Sequence, residues 1–414
     1  MSLSKEQRES ILAKIQTLVA EKYFDPAFDN SAWQGIVARN RASIVDASST
    51  SDFEKAIDTM LAEMSHKGLG LLAPQTPISP RNVINASFSV ARVSNILRWV
   101  FQDVLPGGIA DKAGIRPGDT LLTIDGEPVF PLSETSIDPP FETNDKIRIT
   151  LARGMSSDEV SVVLDRTTPK DKSYKKPSGL TVSSQTGDIA YLRVSHFPGR
   201  IGIDFANEVD AIFRGRFASS DRLIIDLRGN PGGGIGGQSL MSYLTPDRLP
   251  VGYSRSRNMA LGHRDPSNLP IFARIPRSKL ALPFLAFKFY RKPSVFVHTE
   301  GLAKHAHHGR KVILVNEHTG GSAEILTQFA QENKLAIIVG SKTMGRVISR
   351  IAGKLGFGYR LGLPVAAYIS AKGAVIDGMG IVPDINVPWS FEDAIANKDN
   401  QLSVAVDFLR NKDN

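Results

Sequence analysis

Ser322 sits in NEHTGGSAEILTQFAQENK (residues 316 to 334), where a strand-like run, KVILVNE, passes through two glycines into apolar positions at helical spacing. A serine at the head of a helix has two uses. It can cap the first turn, or it can act as a nucleophile whose developing charge meets the positive end of the helix dipole. A second run, LIIDLRGNPGGGIGGQSLMSYL (223 to 244), sets a strand before closely spaced glycines and then a helix. Amides without side chains let an anionic atom approach. A phosphate loop is one reading, but the Lys-Ser/Thr ending of a Walker motif is missing. The other is an oxyanion hole in which Gly232 or Gly233 donates its N–H to a tetrahedral intermediate, which requires a nucleophile nearby. The histidines of HAHHG (305 to 309) lack carboxylate company and read as a solvated loop, so no metal is expected, and His318 could line a pocket beside the glycines.

Elements must hold these groups, and the composition says how many to expect. The 414 residues are too many for one ordinary core, so two or three domains are expected. With 42% hydrophobic and 22% charged residues the chain reads as globular. It has no cysteine, which removes disulfides, thiol nucleophiles and thiolate metal sites. A net charge of +8 without a long Lys/Arg block argues against nucleic acid. The start, MSLSKEQRES, shows no apolar leader core, so a cytoplasmic location is expected, with an already removed leader left open. LALPFLAFKFY (280 to 290) is short of the roughly 20 residues that span a bilayer and reads as core or as an apolar flap.

Three regimes follow one another. Residues 1–83 hold helical spacing in ILAKIQTLVAEKYF and FEKAIDTMLAEM. Residues 84–168 change to short alternating runs followed by PGGIADKAGIRPGDTLLTIDGEPV, with a hairpin turn at Asp125 and Gly126. That pattern resembles a PDZ domain, which implies binding of an extended peptide or a C-terminal carboxylate by strand addition. Beyond a Lys/Pro/Ser-rich linker, residues 178–395 alternate buried-strand runs (IAYLRV, LIIDLRG, KVILVNE, LAIIVG) with helical segments, as on a largely buried α/β sheet. A helical tail, 396–414, closes the chain.

DLRGNPGGG, VNEHTGGSAEI, VGSKTMGRV and DGMGIVPDINV, in this order, resemble the C-terminal processing (tail-specific) protease family and its tricorn-like branch. The resemblance covers nearly the whole chain. It implies a crotonase-like core of repeated strand-strand-helix (ββα) units with an N-terminal helical segment and an inserted PDZ domain, and peptide-bond hydrolysis by a serine nucleophile through an acyl-enzyme, without a cofactor. The tricorn-like branch implies His66 as base and acid, Ser65 orienting it, and Asp377, where that branch has glutamate, supporting the site. Ser322 would attack, with Gly232 and the amide after the nucleophile forming the oxyanion hole.

Two departures qualify this. The family nucleophile stands three residues before the helix acid, and counting back from Glu324 lands on Gly321, one position ahead of Ser322. The Ser/Lys branch places its base where this chain has Arg346, which cannot surrender a proton, and Lys342 matches a position outside the catalytic pair. The main reading is therefore a serine endopeptidase acting on polypeptides or chain ends. The rival is an inactive pseudopeptidase that captures peptides. A crotonase-type acyl-CoA enzyme would have the fold but leaves the PDZ segment unexplained. The oligomeric state is open.

Overall fold

A computed structural model describes residues 3–64, 68–74, 84–136, 138–141, 144–154, 158–167, 179–185, 188–199, 201–290, 292 and 294–411. Contacts divide the chain into two compact units, each assembled from separate stretches. One unit comprises 1–76, 248–300 and 345–379, and the other 77–247, 301–344 and 380–414.

In the first unit the helices Lys5–Lys22, Asn30–Val45 and Thr50–Ala62 each begin at a residue whose side chain accepts an otherwise unpaired first-turn amide: Ser4 from Gln7, Asp29 from Ser31, Ser49 from Asp52. Their apolar faces, Ile11, Ile15, Val19, Trp33, Phe53 and Ile57, close on Leu361 and Leu363. Those two leucines belong to the strand Tyr359–Ser370, which pairs antiparallel with Gly70–Leu72, Pro250–Arg255 and Ser349–Gly356. The Tyr359 hydroxyl donates to Glu54 at 2.8 Å, and burial raises its pKa above the usual phenol range. LALPFLAFKFY forms the helix Leu282–Lys288 after a turn of 3-10 helix, Lys279–Ala281, and no residue of either element is buried. It is not core. Periodicity alone does not separate a buried helix from one whose apolar side faces outward.

The second unit contains two sheets. One runs in the order Ala86–Val93, Ile96–Val104, Thr120–Ile124, Lys146–Ala152, Glu159–Asp165, with all neighbours antiparallel. Asp125 (φ 49°) and Gly126 (φ 92°) turn Thr120–Ile124 back onto Glu127–Pro128, as the Asp-Gly pair predicts. Phe88, Trp99, Phe101 and Phe141 fill its core with the short helix Ile109–Lys112 on one side.

The other sheet runs Ile385–Asn386, Ile337–Gly340, Arg310–Val315, Arg222–Asp226, Ile189–Val194, Leu180–Gln185. All of these pair in parallel except Leu180–Gln185, which is antiparallel to its neighbour. Every expected strand run of this segment lies in it. Helix Asn400–Arg410 buries Ala405 and Leu409 against Ile224, Val312 and Leu314. The helices Gly237–Leu244 and Ser322–Glu332 pack on each other. The chain is thus mixed α/β.

Candidate active site

Arg222–Asp226 and Arg310–Val315 are parallel neighbours, with Asp226 level with Leu314, so both glycine-rich loops leave the carboxyl ends of adjacent strands. That edge is where open α/β sheets place their sites. The loops are bound to each other. Leu227 N–H donates to Leu314 O at 2.9 Å and Gly320 N–H to Asn230 O at 2.8 Å. Gly229 N–H donates to Asn316 Oδ1 at 2.8 Å, and Thr319 Oγ1 donates to Leu227 O at 2.9 Å.

Two asparagines shape the loops, each by binding the amide two residues ahead, as Asn does in turns. Asn230 Oδ1 accepts Gly232 N–H at 2.8 Å, and Asn316 Oδ1 accepts His318 N–H at 3.2 Å. Asn230 is fully buried, and its Nδ2 donates to Val194 O at 2.9 Å. Residue-by-residue reading of the sequence passed over both asparagines; the Asn–x–Gly and Asn–x–His spacings were the available signal.

Gly321 adopts φ 58°, ψ −128°, a conformation a residue with a Cβ rarely takes, and precedes the helix Ser322–Glu332. Glu324, fully buried, pins this turn: its Oε2 accepts Gly321 N–H at 3.1 Å and its Oε1 accepts the Thr343 hydroxyl at 2.5 Å. Thr343 Oγ1 in turn accepts Ile381 N–H at 2.7 Å.

Ser322 is the first helical residue, not the cap. Its Oγ is buried and bonds to nothing among the described residues, so the capping role open at the sequence level is not the one it takes. Gly232 (φ 92°) lies against this turn so closely that a Cβ on it would meet Gly320 O and Ser322 N at 2.8 Å and Gly321 Cα at 3.0 Å. Gly233 (φ 131°) lies against the carbonyl of Phe197, 2.2 Å from where its Cβ would be.

The amides of the two loops differ in what they already do. Gly232 N–H is taken by Asn230, and Ala323 N–H, the amide after Ser322, donates to Gly320 O at 3.2 Å. Among the described residues the amides of Gly233 and of Ser322 itself have no hydrogen-bond partner.

Of the remaining expected site residues, Ser65 and His66 lie outside the described residues. Asp377 belongs to the first unit, where its Oδ1 accepts the amides of Val347 and Ile348, both at 3.0 Å. His318 is buried, with Nε2 2.7 Å from Phe88 O in the strand Ala86–Val93, while Gln102 Nε2 donates to Glu317 Oε1 at 2.7 Å. The Ser322 loop is thereby fastened to two strands of the antiparallel sheet. Below it, buried Asp226 is bonded by Arg228 and by Tyr191 OH, both at 2.7 Å. Burial alone would raise its carboxyl, but Arg228 and Arg193 outweigh this and hold it below the ordinary range. Among the described residues no group of three acidic or histidine side chains could hold a metal.

The comparison with known families now bears on this geometry. Residues 188–387 match the model of peptidase family S41, and residues 100–139 that of the PDZ domain. Over residues 188–387 the chain is similar to an S41 peptidase domain. Over 418 residues it is 22% identical to a carboxyl-terminal-processing protease of Synechocystis sp., covering 99% of this chain and 88% of that one. It is 23% identical over 396 residues to chloroplastic carboxyl-terminal-processing peptidase 3 of Arabidopsis thaliana, covering 91% and 68%. In fold it is similar to the photosystem II D1 C-terminal processing protease (TM-score 0.56, 18% identity, 94% and 96% covered). Mature CPAF is another fold neighbour (TM-score 0.55, 15% identity, 98% and 97% covered). The family resemblance read from the four motifs therefore holds, and both glycine loops fall within the S41 domain.

Proposed function

We propose that this protein is a serine-type endopeptidase that cleaves polypeptides or their chain ends through an acyl-enzyme on Ser322, in a core of crotonase-like ββα units. The observation that carries this reading is the position of Ser322: its Oγ is buried, bonds to nothing among the described residues, and heads an 11-residue helix beside the Gly232–Gly233 turn.

Oγ attacks the scissile carbonyl carbon and gives its proton to His66, the base implied by the family, which passes it to the leaving amine. Ser65 orients the imidazole, and water then releases the acyl group. The two unbonded amides refine the oxyanion hole. Gly233 N–H and the amide of Ser322 itself are the donors, in place of Gly232 and the amide of Ala323, which are already engaged. A nucleophile whose own amide belongs to the hole is the arrangement of the chymotrypsin-type triad. Asp377 supports the turn at Val347 and Ile348. The PDZ domain receives the polypeptide substrate by strand addition.

One observation favours a second reading. Gly321 stands three residues before Glu324 in a sharply turned conformation, with the next amide open, so a scaffold that has lost its nucleophile would look like this as well. A serine-reactive fluorophosphonate, with the adduct mapped by mass spectrometry, separates the two. Labelling of Ser322 that disappears in Ser322→Ala and falls at least about a hundredfold in rate in His66→Ala is expected. No labelling of the folded protein, together with labelling of Gly321→Ser at residue 321, would replace the peptidase with the peptide-capturing scaffold.

A further inference from the structure

The net charge of +8 is unevenly spread. From Pro266 to Thr299 the chain has six cations, Arg274, Arg277, Lys279, Lys288, Arg291 and Lys292, and no aspartate or glutamate. This stretch of 34 residues therefore carries +6, and the other 380 carry +2 between them. The same stretch contains the helix Leu282–Lys288. Around it Leu280 is 90% exposed, Phe284 71%, Phe287 81% and Tyr290 65%. Positions 280, 284 and 287 repeat at four and three residues, so they share one side of the turn and helix.

The base of this ridge is well fixed. The Ser278 hydroxyl accepts Leu280 N–H at 3.2 Å. Phe289 packs on buried Phe272, ring centres 5.8 Å apart, and Arg274 and Arg277 both face Glu300. An anchored segment that turns its largest apolar side chains to water marks an interaction surface. The charge chooses the occupant. A second copy docked through this face would set the lysines of one helix end, Lys288 and Lys292, against those of the other. A neutral apolar groove would offer no anionic group to Lys288 and Lys292. An anionic bilayer meets both features, since rings and leucine enter the boundary between headgroups and acyl chains while lysines meet lipid phosphates. The segment is too short to span, and no helix of the described residues is long and apolar enough to do so.

We propose that residues 279–290, with Lys292 beside them, are an interfacial anchor that seats the protein on an anionic lipid surface. The anchor is independent of the peptidase reading, because none of its residues belongs to the site. It holds whether Ser322 or Gly321 occupies the nucleophile position.

Co-sedimentation of the full chain with vesicles of equal parts phosphatidylglycerol and phosphatidylcholine, or of phosphatidylcholine alone, tests it. Binding to the anionic vesicles is expected to weaken at least about tenfold in Phe284→Ser/Phe287→Ser. It should also weaken in Lys279→Gln/Lys288→Gln/Lys292→Gln and in about 0.5 M salt. Phe284→Trp should shift its emission to the blue on anionic vesicles only, which reports insertion without relying on a loss. No binding, equal binding to both vesicle types, or binding unchanged in Phe284→Ser/Phe287→Ser would overturn the anchor. So would a concentration-dependent dimer that the same double variant abolishes, since that would assign the ridge to a second copy.

Discussion

Gly232→Ala is the sharpest probe of the two-loop site, because the chain contains its own control. Gly232 and Gly126 both have φ of 92°, so alanine at either position pays the same left-handed strain, about 1–2 kcal/mol. At Gly126, on the Asp-Gly hairpin, an added Cβ meets nothing within 4 Å. At Gly232 it meets two atoms at 2.8 Å and one at 3.0 Å, all backbone of Gly320, Gly321 and Ser322. Backbone pinned by Asn230 and Glu324 cannot swing aside as a side-chain tip can, and overpacking of this kind adds about 1–3 kcal/mol. Urea unfolding should therefore show Gly126→Ala losing about 1–2 kcal/mol and Gly232→Ala about 2–5 kcal/mol. Relief of the overlap moves the Ser322 amide and Oγ together. Peptide hydrolysis should consequently fall by about 10²–10³ in kcat/KM, the cost of one misplaced oxyanion donor, in Gly232→Ala alone. If Gly232→Ala is no less stable than Gly126→Ala and keeps its kcat/KM within about twofold of the parent, the close approach of the loops is not what holds the site.

Two further outcomes follow from buried polar groups. Burial first, then the nearby charge of Lys311, lowers the His307 imidazole from 6.5 to about 4. The folded chain then keeps it neutral while the unfolded chain protonates it, so stability is lost as pH falls from about 6.5 to 4, by at most roughly 3 kcal/mol; His307→Leu should flatten that part of a stability–pH profile, and an unchanged slope would place the titration elsewhere. Glu324→Ala strips partners from Gly321 N–H and the Thr343 hydroxyl at once and should lower unfolding free energy by about 2–4 kcal/mol, whereas a loss under about 0.5 kcal/mol would show that the turn does not depend on this carboxylate.

Much of this molecule is legible in local pattern. The parallel strands announce themselves as apolar runs because both their faces are covered, the hairpin at Asp125 and Gly126 because its turn needs left-handed backbone, and the helix after Ser322 because its apolar side repeats with the helical period. The four glycine-containing motifs likewise pointed to the C-terminal processing protease family, since they are short contiguous strings. Other properties belong to pairs of segments far apart in the chain. Whether Gly232 or Gly233 has a usable amide depends on Asn230, and the closeness of Gly232 to Ser322 depends on strands 222–226 and 310–315 lying side by side across some ninety residues. The ridge at 280 to 290 makes the same point from outside, because apolar composition states that a side chain prefers not to meet water, and only the packing around Phe272 and Glu300 decides that Phe284 and Phe287 meet it nonetheless. Backbone preference and periodicity are properties of neighbouring residues, while hydrogen-bond occupancy and burial are set by whatever the fold brings alongside.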